Sequence, residues 1–149
     1  MSYSIITNFD FEIISKKVDY KGRFIILKLS IQEQLFTLIN VYLPNTEKEQ
    51  LTFLSDFKKV LIKEKVTNTE NVIMGGDWNL IFDNSLDKIG GVENMKYKSL
   101  EKLRELMNII DVNDSWRIKK PVTKKIHLAT KKSPYSMSTG FFFDFRPYL

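Results

Sequence analysis

The chain has 149 residues, 43% of them hydrophobic, so its length fits one folded domain with a substantial core. It has no cysteine and one histidine, which excludes disulfides, thiolate metal sites, a cysteine nucleophile and any mechanism that needs two histidines. The net charge of +5 makes a polyanion such as nucleic acid a candidate partner, although many basic domains bind nothing anionic.

The start of the chain and its hydropathy bear on its compartment. The first residues lack the basic and apolar regions of a signal peptide, and no apolar run approaches the about 20 residues that span a bilayer. We therefore expect an intracellular protein, nuclear or cytoplasmic, that is not secreted and has no membrane partner. The sequence does not indicate an oligomeric state.

Three strand-like segments come first. Residues 11–18, 24–29 and 35–42 are rich in Ile, Phe and Leu, and turn-forming residues at 19–22 and 30–34 separate them, which predicts an antiparallel meander. The third segment, LFTLINVY, is nearly continuously apolar, as expected of a strand that is covered on both faces.

A helix is predicted to follow the third strand. Thr46 and Glu49 form a T-x-x-E capping box, and apolar residues follow at helical spacing to about Lys65. Residues 72–74 are a short buried strand that leads into Gly-Gly-Asp-Trp-Asn, and a second helix is predicted over residues 97–110. Strands followed by helices indicate layered α/β packing in one domain.

The segment VIMGGDWNL carries the most chemical information. Its strand delivers Asp77 and Asn79 to the C-terminal edge of a sheet, where the two glycines would allow close backbone approach to a ligand. Because Trp78 separates them, an extended chain would point both polar side chains the same way, to orient a water and bind a phosphate oxygen. The alternative is a strand end followed by an Asp-initiated turn that Asn79 helps to form.

A second candidate segment, NVYLPN, also lies at a strand end. A rigid turn at Leu-Pro would hold Tyr42 and Asn45 beside each other, so that a phenol and an amide could contact a phosphate. Taken alone, this segment is more simply explained as a turn.

Together and in this order, the two segments resemble the endonuclease/exonuclease/phosphatase superfamily, and within it the endonuclease domain of non-LTR (LINE-type) retrotransposons. That domain has N-x-Y-x-P-N, a helix, a strand with G-G-D-x-N, and a second helix that leads to D-x-W-R, which residues 114–117 match. The stretch from Asp19 to Arg23 resembles the family's D-x-x-G-R segment. The resemblance covers about residues 5–125.

The resemblance implies an α/β fold, an incomplete two-sheet sandwich flanked by helices, and in intact relatives magnesium-dependent hydrolysis of DNA phosphodiesters. Asp77 would position and activate the attacking water, Asn45 and Asn79 would bind the phosphoryl oxygens, and Tyr42 would contact the phosphate as charge develops. Three lysine pairs are further candidate phosphate contacts, with a solvated surface as the alternative: Lys58-Lys59, Lys119-Lys120 and Lys124-Lys125.

Other family motifs are missing. The asparagine and the magnesium-binding glutamate would lie upstream of the first strand, and Glu12 and Glu33 lack the matching context, so we assign no metal ligand. The expected F-T-W, S-R-I-D and S-D-H segments are also missing. With wobble bases chosen to favour it, the codons of residues 126–149, read one nucleotide later, spell F-T-W, R-L-D and S-D-H in that order.

We therefore hypothesise a frameshift near Lys125, which the codons of the gene would refute if they were incompatible with the second frame. Residues 1–125 would then be a partial domain and residues 126–149 an out-of-frame tail. In that tail His127 and Asp144 would have no catalytic role, and residues 141–143, all phenylalanine, would lack a burial partner and pack poorly.

These inferences predict an inactive fragment of a retrotransposon endonuclease that binds magnesium weakly and DNA weakly. Members of a catalytic unit are strongly non-additive, so the surviving groups would not supply a proportionate residual rate. Two alternatives stay open. One is another phosphoesterase of the superfamily, such as a sugar- or lipid-phosphate phosphatase, and the other is a nucleic-acid-binding remnant without catalysis.

Overall fold

The computed structural model describes residues 10–66, 71–82 and 96–122, and the backbone of residues 140–144. In these residues one sheet has the strand order β1-β2-β3-β4-β6-β5. The elements are β1 (Glu12–Val18), β2 (Phe24–Ile31), β3 (Gln34–Tyr42), α1 (Glu47–Lys63), β4 (Asn71–Asp77), α2 (Tyr97–Ile109), β5 (Asn113–Asp114), α3 (Ser115–Lys119) and β6 (Gly140–Asp144). None of the described helices is long and apolar enough to cross a membrane.

The antiparallel meander predicted for the first three strands is confirmed. β1 pairs with β2, and β2 pairs with β3 through a two-residue turn in which Gln32 and Glu33 have φ of 49° and 66°. Because Glu12 pairs with Ser30, it lies at the same end of the sheet as that turn. Glu12 and Glu33 therefore both lie at the end of the sheet opposite to Tyr42.

Helix α1 connects β3 to β4 and begins where the capping box predicts. The Thr46 hydroxyl oxygen accepts a hydrogen bond from the Glu49 amide at 3.4 Å, and the hydroxyl donates to the Glu49 carboxylate at 2.6 Å. β3 and β4 are parallel, with Tyr42 beside Asp77 in the last register position. The C-terminal ends of both strands therefore meet at one edge of the sheet.

The core lies between one face of the sheet and the two long helices. Thr37, Ile39 and Val41 of β3 lie on the covered face and are buried. On the other face Phe36 and Leu38 are half-buried against a second apolar cluster on β2, whereas Tyr42 is 39% exposed. The prediction that β3 is covered on both faces therefore holds for only part of the strand. The two long helices pack on one face, and a continuous apolar run cannot distinguish one covered face from two. Large buried side chains include Phe57, Met74, Trp78 and Leu103.

Strand β6 belongs to the tail for which the sequence predicts poor packing. Its backbone pairs antiparallel with β4, from Gly140 opposite Asp77 to Asp144 opposite Ile73. Main-chain pairing to the edge of a strand does not require particular side chains, so the prediction that the phenylalanines at 141–143 lack a burial partner stays a prediction. His127 and the predicted boundary after residue 125 lie outside the described residues.

The Asp-Ser-Trp-Arg segment spans the end of β5 and the start of α3. The amide of Arg117 donates to Asp114 Oδ1 at 3.0 Å, so the aspartate caps this five-residue helix. Asp114 pairs with Phe143, which in turn pairs with Met74, three residues before the end of β4. The segment thus lies two strands away from β4, and its first residue, Asp114, caps a helix.

Candidate functional site

The candidate site lies at the edge of the sheet where β3 and β4 end. Tyr42 and Asp77 are paired neighbours, and the Leu43 amide donates to the carbonyl of Asp77 at 2.7 Å. The turn between β1 and β2 reaches the same edge, because Phe24 pairs with Val41. The structure therefore brings the two predicted motif segments together, beside a third loop.

Gly76 allows β3 and β4 to approach each other at this edge. Its φ is 136°, and a Cβ there would lie 1.9 Å from the carbonyl oxygen of Val41. The close approach that the sequence predicts for a ligand is thus, at Gly76, an approach of the β3 backbone. As a result, Asp77 comes to lie directly opposite Tyr42.

The chain turns immediately after Asp77. Asn79 has φ of 46°, and its amide donates to Asp77 Oδ1 at 3.1 Å. The prediction of an extended chain with two parallel polar side chains is therefore wrong, and the Asp-initiated turn is the conformation present. The turn carries Trp78 into the core, where it is 0% exposed, while Asp77 and Asn79 stay half-buried.

Asn79 also connects the two motif loops. Its Nδ2 donates to the carbonyl of Leu43 at 2.7 Å, across 36 positions of sequence. A carboxamide nitrogen has two hydrogens, so this bond leaves one N–H and the Oδ1 for other partners. Asn79 thus links the two loops through a hydrogen bond, and it is also a candidate phosphate ligand.

Two further side chains, Gln50 and Lys96, donate to the carbonyls of both loops. Gln50 Nε2 donates to the carbonyls of Pro44 at 2.7 Å and Asn79 at 3.2 Å, and Gln50 is completely buried. Lys96 Nζ donates to the carbonyls of Asn45 at 2.5 Å and Asn79 at 3.0 Å. These bonds hold the ends of the motif segments at fixed positions relative to each other, although neither donor belongs to a motif.

The ammonium of Lys96 is partly withdrawn from water. Burial lowers the pKa of Lys96 below its ordinary value, and the nearby Glu47 carboxylate raises it by less. A cation that is desolvated beside two main-chain carbonyls is a costly arrangement unless those hydrogen bonds offset it. This cost makes Lys96 a sensitive probe of how the two loops are held.

We expect Lys96→Met to lower the free energy of unfolding at pH 7 by about 1.5–3 kcal/mol, the range for hydrogen bonds to charged groups. Because the folded-state pKa is depressed, the unfolded chain binds this proton more tightly between that pKa and 10.5. Wild-type stability should therefore rise with pH in that window relative to the variant. Urea unfolding from pH 7 to 10.5 measures the difference. The exposed Lys98→Met is the control, and a pH-independent difference for Lys96 would contradict this account.

Arg23 is a functional candidate that the sequence did not single out. Its guanidinium carbon lies 5.1 Å from the centre of the Tyr42 ring, a cation–π arrangement. Tyr42 and Asn45 are both exposed, so each can reach a ligand from this edge. The D-x-x-G-R match contains Arg23 but assigns it no role, and no sequence signal indicates Lys96 or Gln50.

The three lysine pairs predicted to contact phosphate differ in their surroundings. Both lysines at 58–59 form ion pairs with carboxylates, at 2.5 Å and 2.8 Å. The hydrogen bond from Lys58 lowers the pKa of Glu105. Residues 119–120 are exposed near the end of α3, and residues 124–125 lie outside the described residues.

Metal-binding side chains do not converge in the described part of the chain. No group of three His, Cys, Asp or Glu side chains there could hold a metal ion, and Asp77 Oδ1 already accepts the Asn79 amide. Magnesium requires a near-octahedral set of oxygen ligands, usually one or two carboxylates with waters and substrate phosphates. The strength of magnesium binding at this edge therefore stays a prediction.

Comparisons with known proteins find similarity in sequence and in fold. No family model matches the chain. Over 116 residues, 78% of its length, it is 29% identical to the "Transposon TX1 uncharacterized 149 kDa protein" of Xenopus laevis, of which it spans 8%. It superposes on D. rerio TDP2 complexed with a single-strand DNA product with a TM-score of 0.52 and 17% identity, covering 90% of this chain and 53% of that one. Against D. rerio TDP2 humanized by 14 mutations the TM-score is 0.38, with 17% identity over 56% of this chain and 37% of that one.

Proposed function

We propose that the chain is part of a retrotransposon DNA endonuclease domain without efficient catalysis. Two findings support this: the chain has the endonuclease/exonuclease/phosphatase fold, and it is related to a protein of a LINE-type transposon. The observation that carries the proposal is the pairing of Tyr42 with Asp77 where two parallel strands end. The loops that bear Asn45 and Asn79 follow these strands and are tied together by Lys96. The proposed phosphate-binding edge is thus preorganised.

In this proposal each group at the edge has a stated role. Asp77 Oδ1 accepts the Asn79 amide, so Oδ2 is the oxygen that would accept a proton from the attacking water. The exposed Tyr42 hydroxyl and Asn45 amide would donate to phosphoryl oxygens, together with the second Nδ2 hydrogen of Asn79. Arg23 would add positive charge beside Tyr42.

The proposed loss of catalysis follows from how such groups act. No group of three carboxylate or histidine side chains converges in the described residues, and without a fixed cation Asp77 would have to activate water alone. Catalytic groups that work as a unit are strongly non-additive, so one remaining carboxylate supplies much less than its share of the rate. We propose accordingly that the chain does not bind magnesium tightly and that it has kept DNA binding but lost hydrolysis.

Nicking of supercoiled plasmid DNA in magnesium buffer tests this function. We expect no difference among wild type, Asp77→Ala and the control Glu101→Ala, which removes an exposed carboxylate from α2. The expectation rests on the non-additivity of the catalytic groups. Magnesium-dependent nicking that Asp77→Ala abolishes and Glu101→Ala preserves would contradict the proposed inactivity, while supporting the endonuclease assignment.

Two alternatives have distinct signatures in the same preparation. Hydrolysis of small phosphoesters, without nicking of DNA, would indicate a phosphatase of the same superfamily. Salt-sensitive DNA binding without any hydrolysis would indicate a nucleic-acid-binding remnant. The net charge of +5, and the DNA product in the TDP2 structure whose fold this chain shares, favour the second alternative.

A further inference from the structure

An open groove lies next to the candidate site and shares Arg23 with it. One wall is the turn between β1 and β2, at residues 19–23, and the other is the face of α1 from Lys48 to Val60. The turn reaches the same sheet edge as Asp77, because Phe24 pairs with Val41 and Tyr42 pairs with Asp77. The groove therefore begins beside the place where a phosphate would bind.

Cations line both walls of the groove. Lys17, Lys21 and Arg23 come from the strand and turn, and Lys48 comes from the first turn of α1. Within the described part of the chain, none of the four forms an ion pair with a carboxylate. They remain available to an anionic ligand.

The three carboxylates that line the groove all have hydrogen-bonding or ionic partners. Asp19 Oδ2 accepts the amide of Arg23 at 3.1 Å, and the Glu49 carboxylate accepts the Thr46 hydroxyl at 2.6 Å. Asp56 forms an ion pair with Lys59 at 2.8 Å. Of these three carboxylates only Asp56 is neutralised by a cation, so the four basic side chains of the groove face two remaining carboxylate charges, and the lining keeps a net positive charge.

Aromatic rings accompany these charges. Tyr20 is 89% exposed at the tip of the turn, and Lys21 Nζ lies 5.4 Å from the centre of its ring. Deeper in the groove Phe53 stacks on Phe57, with ring centroids 5.4 Å apart, and Phe24 packs against both. An exposed ring beside unpaired cations is the combination that binds single-stranded nucleic acid, because every unpaired base has a face that can stack.

Arg23 joins the groove to the candidate site. It lines the groove, and its guanidinium lies over the Tyr42 ring, next to Asp77 in register. A strand that leaves the phosphate position would meet Arg23 first and then pass between Tyr20 and Lys48.

We propose that this groove binds a single-stranded DNA segment that flanks the phosphate held at the Asp77 edge. The inference rests on the proposed function and extends it from one phosphate to several nucleotides. Tyr20 stacks on an unpaired base, and Lys17 and Lys48 contact backbone phosphates from opposite walls. A duplex fits this site less well, since its bases are already stacked and paired.

Equilibrium binding of a fluorescent oligothymidylate to the full chain, measured by anisotropy over a range of salt concentrations, tests the groove directly. For the double variant K17A/K48A we expect the slope of log K against log salt to become shallower by about 1.4, about 0.7 for each lost phosphate contact. The matched control K63A/R104A removes two exposed cations outside the groove and should leave the slope unchanged. Tyr20→Ala should weaken binding about tenfold with an unchanged slope, because it removes stacking and no charge.

Each outcome separates this inference from the proposed function. Equal changes in salt slope for the groove variant and its control would overturn the proposal that the groove binds DNA, whatever the result of the nicking assay. Duplex DNA that competes as well as the single strand, and loses as much affinity in Tyr20→Ala, would overturn the single-strand assignment. Groove-dependent binding with no nicking supports the inference even if catalysis is absent. Because Lys17, Lys48 and Tyr20 are exposed, circular dichroism should find all variants folded.

Discussion

Gly76→Ala should prevent this chain from folding. A Cβ at residue 76 would lie 1.9 Å from the carbonyl oxygen of Val41 and 2.7 Å from its amide nitrogen, both of them main-chain atoms of the neighbouring strand. Neither can move without breaking the parallel pairing of β3 and β4, and φ of 136° is itself unfavourable for alanine. The two effects together should remove most of the free energy of unfolding, which is about 5–15 kcal/mol for a native protein.

Circular dichroism and urea unfolding measure this effect. Gly22→Ala is the matched control, because Gly22 also has a positive φ, of 69°, but lies in the turn between β1 and β2. We expect that control to fold with a loss of about 1 kcal/mol, the usual cost of alanine in a left-handed conformation. A Gly76→Ala variant that unfolds cooperatively near the wild-type urea midpoint would show that the two strands are not this close.

Trp78→Ala should lower the free energy of unfolding by about 3–5 kcal/mol, the range for deletion of a large buried aromatic side chain. Trp78 is 0% exposed and belongs to the core cluster with Leu43, Leu54 and Leu103. Its position between Asp77 and Asn79 means that the same packing holds the turn on which the proposed site depends. Loss of the ring should therefore also weaken DNA binding in the variant molecules that remain folded.

Urea unfolding followed by circular dichroism measures the loss of stability without relying on tryptophan fluorescence. Tyr97→Ala is the control, since Tyr97 is 64% exposed at the start of α2, and its cost should stay within about 0.5 kcal/mol. Equal costs for the two variants would mean that Trp78 does not anchor the turn. In that case the positions of Asp77 and Asn79 would have to depend on the hydrogen bonds that Asn79 makes and accepts.

The elements whose signals are local could be predicted from the sequence. Thr46 and Glu49 mark the start of α1 through neighbouring backbone donors, and alternation and turn residues mark the first three strands. The order of the N-x-Y-x-P-N and G-G-D-x-N segments was enough to predict the α/β fold, which the comparison with TDP2 supports. The assignment of Tyr42, Asn45, Asp77 and Asn79 as ligands remains a prediction.

Contacts between distant parts of the chain could not be predicted in this way. Lys96 reaches the carbonyl of Asn45 across 51 positions, and such a bond leaves no periodic pattern in the sequence. The positive φ of Asn79 likewise depends on the burial of Trp78 beneath it. The pairing of the β6 backbone with β4 also joins segments more than 60 positions apart.

The sequence by itself determined where the first three strands and the two long helices begin, which residues are candidates for phosphate binding, and that the chain is basic. These properties belong to single residues and their near neighbours. Tertiary structure alone decided that Gly76 faces the β3 backbone, that Lys96 ties the two loops, and that Arg23 connects the Tyr42 edge to a groove. The physical reason is that burial, desolvation and close approach depend on atoms brought together only when the sheet forms and the helices pack on it.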